Sequence, residues 1–145
     1  MTVYVDTSIL AAYYCPEPLS DQAEGHLRSL RPPVISWLVD VELHSALARK
    51  VREHELERKE AQQVQSLFRT HRNQGLYHIL PIGRADFVQA RRWMATCKTA
   101  LRTLDSLHVA VAHRHDLRVL TADRGMAQAG GTFGVDTELV RADPR

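Results

Sequence analysis

Four carboxylates stand where a carboxylate is costly. Asp6 directly follows the apolar run Val3–Val5, and Asp123 follows the run RVLT at 118–121 by two residues. Glu42 sits in the helical pattern LVDVELHSALARK with Leu38 and Ala46 one turn to either side. Asp105 interrupts the apolar stretch LRTLDSLHVAVA at 101–112. Each has a bland explanation when taken alone. Asp6 and Asp123 could cap helices, and Asp105 in a first turn, with Thr103 as N-cap, would suit the helix dipole. Taken together they point elsewhere. Like charges brought into one pocket repel, and burial raises the cost. A divalent cation removes that conflict, and all-oxygen donors favour Mg²⁺ or Mn²⁺. Such a centre polarises a phosphodiester and lowers the pKa of a bound water. Ser8 in DTS and Thr121 in TAD place hydroxyls beside two of the acids, either to orient a carboxylate or water or as ordinary turn chemistry. Asp40 lies about 160° from Glu42 on a helical wheel and reads as surface or supporting polarity.

The elements that must position these acids alternate. Strands are expected at 3–5, 34–36, 77–80 and 118–121, with a weak last one in TFGV at 132–135. Helices are expected at about 8–14, 19–30, 38–51, 57–73, 84–97, 103–115 and 123–128. Strands alternating with helices indicate an α/β fold with a mainly parallel sheet. In such a sheet ligands bind beyond the carboxyl ends of the strands, where Asp6 and Asp123 both fall. Residues 1–135 read as one domain and 136–145 as a loose C-terminal tail. The charge run RKVREHELERKE at 49–60 reads as a solvated surface, with Glu55 and Lys59 one turn apart and able to pair.

Bulk properties narrow the setting. The 145 residues suit one core, and no apolar run is long enough to span a membrane. MTVYVDTSIL reads as a strand start rather than a basic leader, and the two cysteines form no CxxC pair. A reduced, cytoplasmic protein is expected. Cys97 falls on the stripe Phe87, Ala90, Met94, Cys97 and is expected in the core. Of 19 basic residues only Lys50, Lys59 and Lys98 are lysines. The arginine excess gives weak support to phosphate recognition.

The order VDTS, then VEL in a helix, then LRTLDSLHVA, then LTAD resembles the PIN-domain ribonucleases, and most closely the VapC toxins of type II toxin–antitoxin pairs. The resemblance covers residues 1 to about 135. It implies an α/β/α sandwich, a homodimer and an antitoxin lying over helices near the site. It also implies a Mg²⁺- or Mn²⁺-dependent endoribonuclease whose metal-binding acids are Asp6, Glu42, Asp105 and Asp123, with Ser8 and Thr121 in support. His108, one turn beyond Asp105, is expected to be a structural helix residue. Tyr13, Tyr14 and Trp37 are candidates for an exposed aromatic surface, with core packing expected for at least one. Two rivals fit less well. A phosphatase with an aspartyl nucleophile wants a second Asp where Ser8 stands, and a receiver domain wants a Lys after a late strand. A non-catalytic RNA-binding module would show no metal dependence.

Overall fold

Three short, mostly apolar runs form the middle of a parallel sheet. In the computed structural model, which describes residues 2–144, they are β1 (Val3–Val5), β2 (Val34–Ser36) and β4 (Arg118–Thr121). Edge strands β3 (His78–Leu80) and β5 (Thr137–Leu139) complete the order β3-β2-β1-β4-β5, with every pairing parallel. Central strands of a parallel sheet are covered on both faces, so they read as continuous apolar runs. Val3, Tyr4, Val5, Val34, Ile35, Val119 and Leu120 are accordingly buried.

Among the described residues seven helices make the crossovers. They are α1 (Thr7–Tyr14), α2 (Ser20–Ser29), α3 (Trp37–Arg52), α4 (Arg58–Asn73), α5 (Arg84–Ala95), α6 (Thr103–Arg114) and α7 (Arg124–Thr132). The connections β1→β2 and β2→β3 step across the sheet in one direction, and β3→β4 and β4→β5 step in the other. Right-handed crossovers then place α1–α4 on one face and α5–α7 on the other. Helix contacts divide the same way, with α1 on α2 and α3, α3 on α4, α5 on α6, and α6 on α7. The result is the expected α/β/α sandwich. Its topological switch point lies between β1 and β4, where a doubly wound sheet opens a crevice at its carboxyl edge.

Several local expectations need correction. The last strand is Thr137–Leu139, inside the segment read as a tail, and not TFGV. Gly134 takes φ +75°, and the Val135 N–H closes on the Gly130 carbonyl at 2.8 Å, so TFGV is the turn that ends α7. A Cβ on Gly130 would meet Thr137 Cγ2 at 2.3 Å, so glycine is what lets β5 approach. Cys97 is exposed, since α5 stops at Ala95 and Cys97 turns away with φ +55°. The buried face of α5 is Asp86, Ala90 and Trp93, which leaves Phe87 and Met94 outside. Glu55 lies in the break between α3 and α4, so its partner is not Lys59 but the buried Lys50, at 3.2 Å. Lys50 also faces Glu17 at 3.5 Å, so the charge run is not wholly solvated.

Candidate functional site

The parallel sheet brings the ends of β1 and β4 side by side, and two acids stand there. Asp6 is the N-cap of α1, and its Oδ1 accepts the Ser8 backbone N–H at 2.6 Å. Asp123 is the N-cap of α7, and its Oδ1 accepts the Met126 N–H at 3.1 Å. The capping role and the strand-end position therefore coexist in both residues. Ser8 donates its hydroxyl to Asp6 and accepts the Ala122 N–H at 2.9 Å. Thr121 donates to Asp6 Oδ2 and accepts the Asp123 N–H at 3.0 Å. Both hydroxyls thus tie Asp6 to the loop that carries Asp123.

Asp105 enters from α6. Ser106 through Ala112 are all buried, so the middle of this helix is enclosed on every side. The N-cap position is held by Arg102, without a side-chain cap, and Thr103 is already helical. That corrects the expected cap. Asp105 stands in the first turn with 19% of its side chain exposed, and Arg102, 82% exposed, approaches it at 3.5 Å. Burial raises the Asp105 pKa, and the charges of Asp123 and Asp6 raise it further. Asp6 is also pushed up by burial, only partly offset by His108 and by its hydrogen bonds from Ser8 and Thr121. Asp105 therefore feels the charge of both Asp123 and Asp6 at the switch point.

Glu42 comes from α3 and is held differently. Its Oε1 accepts the Thr7 hydroxyl at 2.8 Å and also meets His108 Nε2. Burial would raise its pKa, but the His108 contact and the Thr7 hydrogen bond, together with Arg102, bring it below the usual carboxylate range. Asp40 is half-buried and pairs with Arg72 at 2.8 Å, tying α3 to α4 away from these acids.

Comparison with known proteins fits this geometry. The family model for the PIN domain matches residues 3–131. The chain belongs to the PIN-domain family. A comparison with curated proteins finds no significant match. Among solved structures, FitAcB from Neisseria gonorrhoeae is 22% identical with a TM-score of 0.68, covering 94% of this chain and 96% of that one. VapC20 of Mycobacterium tuberculosis, described as a sarcin-ricin loop cleaving toxin, is 18% identical with a TM-score of 0.70 over 88% and 95%. VapBC2 of Rickettsia felis, bound to a DNA fragment from its promoter, is 14% identical with a TM-score of 0.72 over 97% and 100%. At these identities the likeness is one of fold.

The side chains that could hold a hard cation in this PIN domain are Asp6, Glu42, Asp105 and Asp123. All are carboxylates, and two of them are electrostatically destabilised as charged groups. Among the described residues, no three ligating side chains already converge on one point.

Sequence reasoning missed three polar groups that the structure gives specific partners. Tyr4, fully buried in β1, places its Oη 2.6 Å from His108 Nδ1 and 2.8 Å from Ser36 Oγ. A tyrosine in an otherwise apolar buried strand signals that its hydroxyl has a partner. Thr7, next to Ser8, donates to Glu42 on α3, a contact that no local pattern marks. Asp86 is buried on α5, where Arg114 of α6 grips it at 2.7 and 2.8 Å.

Proposed function

We propose that this PIN domain is the toxin of a toxin–antitoxin pair, a metal-dependent endoribonuclease held in check in the cytoplasm by a cognate antitoxin and working as a homodimer. One observation carries the catalytic part. Asp105 stands half-buried beside Asp123 and Asp6 at the topological switch point, and its nearest opposite charge is the largely exposed Arg102. Such a like-charge pocket costs stability, which is the signature of a site kept for its chemistry.

Asp6, Glu42, Asp105 and Asp123 would hold the cation, Mg²⁺ or Mn²⁺. The chemistry such an ion supplies when bound is neutralisation of phosphate charge and a lower pKa for a coordinated water. Ser8 and Thr121 fix the rotamer of Asp6 and the path of the loop to Asp123. Arg102, exposed at the rim, can accompany an incoming phosphate. His108 is buried with both ring nitrogens engaged, so it cannot exchange protons with a substrate. This removes His108 from the histidine route, in which the ribose 2′-hydroxyl attacks and leaves a cyclic phosphate, and the RNA ends test the exposed His113 and His115.

The antitoxin part of the proposal is supported by a toxin–antitoxin complex from Klebsiella pneumoniae among the structural neighbours, and the dimer part rests on the family resemblance alone. The test uses purified protein and a mixed RNA pool, with Mn²⁺, with Mg²⁺ and with EDTA. Metal-dependent fragments with 5′-phosphate and 3′-hydroxyl ends are expected, ligatable without kinase treatment and absent with Asp105→Asn. Cyclic-phosphate ends formed equally in EDTA would overturn the metal mechanism. RNA binding without cleavage under any condition would replace it with a non-catalytic RNA-binding role. In cells, expression alone should arrest growth and Asp105→Asn should relieve the arrest.

A further inference from the structure

His108 lies at the centre of a buried polar chain that crosses the core. Ser36 Oγ, at the end of β2, is 2.8 Å from Tyr4 Oη on β1. Tyr4 Oη is 2.6 Å from His108 Nδ1 on α6, and His108 Nε2 meets Glu42 Oε1 on α3. Thr7, on α1, donates to the same Glu42 oxygen at 2.8 Å. Tyr4 and Ser36 are wholly buried and His108 is 1% exposed. The chain begins and ends on one unit, because Ser36 occupies the N-cap position of α3 and Glu42 lies in that helix.

The direction of these bonds follows from donor counting. A carboxylate only accepts, so Nε2 of His108 must carry a hydrogen. With a neutral imidazole, Nδ1 then accepts the Tyr4 hydroxyl, and Ser36 donates to Tyr4. With an imidazolium, Nδ1 donates to Tyr4, and Tyr4 donates to Ser36. Both arrangements keep the Nε2–H bond to Glu42. The His108 and Thr7 hydrogens fill the acceptor capacity of Oε1. Oε2 has no hydrogen-bond partner among the described residues, and the Glu42 side chain is 23% exposed.

We propose that His108, backed by Tyr4 and Ser36, is a positioning residue that clamps Glu42 by Oε1 and presents Oε2 to the cation. The proposal rests on the metal-dependent reading above. It turns the residue expected to be a plain helix position into part of the metal site's support. Partners that orient a ligating carboxylate are typically worth about 10–100-fold in metal affinity or activity. Tyr4 acts one bond further away and should matter less.

Mn²⁺ binding to the RNA-free, full-length protein, read by the electron paramagnetic resonance of free Mn²⁺, tests this without using activity. His108→Phe should weaken Mn²⁺ affinity about 10–100-fold. Tyr4→Phe, which leaves the imidazole and the core volume in place, should weaken it by a smaller factor in the same direction. The loss of cleavage should fall in kcat, with KM for RNA little changed. If His108→Phe fails to fold, Tyr4→Phe together with Thr7→Val carries the test. Wild-type Mn²⁺ affinity in all folded variants, with cleavage intact in the wild type, would overturn the clamp and leave the ribonuclease reading standing. Affinity that depends on His108 in a protein that cuts no RNA would support the clamp and overturn the ribonuclease. No Mn²⁺ binding by the wild type would overturn both.

Discussion

Arg114→Met removes one half of a pair that fastens the site's helix in place. Asp86 on α5 has no exposed side-chain surface, and the Arg114 guanidinium on α6 donates two hydrogen bonds to it, at 2.7 and 2.8 Å. The remaining partner is the Gly83 N–H at 2.9 Å. Methionine keeps the length of the stem but leaves a buried carboxylate with a single donor. Breaking a buried pair on one side costs roughly 3–5 kcal/mol. Arg114 is 36% exposed, so water already screens part of the attraction. The expected cost is therefore about 2–3 kcal/mol, or a fall in Tm of about 6–12 °C for a chain of this size.

The pH dependence should distinguish this mechanism from lost packing. In the wild type, burial pushes the Asp86 pKa up, but the Arg114 hydrogen bonds outweigh it and hold Asp86 below its usual value. Its contribution is fully present above the unfolded value near ~3.9 and is lost as pH falls through the folded one. Without Arg114, burial prevails and the sign reverses. The penalty on the charged form is then present at neutral pH and is relieved on acidification. Thermal melts from pH 3 to 8 should show the gap between wild type and variant closing towards low pH. Asp86→Asn combined with Arg114→Met should recover part of the loss at neutral pH. A gap that is independent of pH, or one below about 0.5 kcal/mol at neutral pH, which is the ordinary scale of surface substitutions, would refute the reasoning.

Asp105→Asn should abolish RNA cleavage yet melt in EDTA at or above the wild-type temperature, because burial and its acidic neighbours penalise the charged form at neutral pH. Added Mn²⁺ should raise the Tm of the wild type and leave that of Asp105→Asn nearly unchanged; clear destabilisation in EDTA would mark Asp105 as a structural partner instead. Thr121→Val removes the donor to Asp6 and the acceptor of the Asp123 N–H at once. It should cost about 1–3 kcal/mol for the polar groups left buried and unpaired, read by chemical denaturation, and should lower cleavage together with stability.

The parallel sheet was legible because its central strands are buried on both faces and so appear as unbroken apolar runs. The strand β5 was not. Thr137, Glu138 and Leu139 are each only half-buried at the sheet edge, so neither alternation nor an apolar run marks them. Their pairing with β4 depends on Gly130 letting the backbone approach, a contact made in space and invisible in the local pattern. Cys97 failed for a related reason. A periodic stripe was extended past Ala95, but the backbone left the helix there, and periodicity has meaning only while the helix lasts.

The site was legible to the extent that it consists of expensive residues. A carboxylate at a strand end or inside an apolar helix stands out because its position has a free-energy cost that the neighbouring sequence does not offset. Asp6, Asp105 and Asp123 were visible on that ground, and the structure gathers their surroundings at one sheet edge. Asp86 has the same cost and escaped, because its stripe was drawn through Phe87 instead. Its compensation comes from Arg114, 28 residues away in sequence. His108 escaped more completely. An imidazole is tolerated in a helix like any half-polar residue, and nothing local reports that Glu42, 66 residues away, and Tyr4, 104 residues away, occupy its two nitrogens. Sequence spacing reveals which polar groups need a partner. It does not reveal which partner, and here the partner separates a bystander histidine from one that aims a carboxylate.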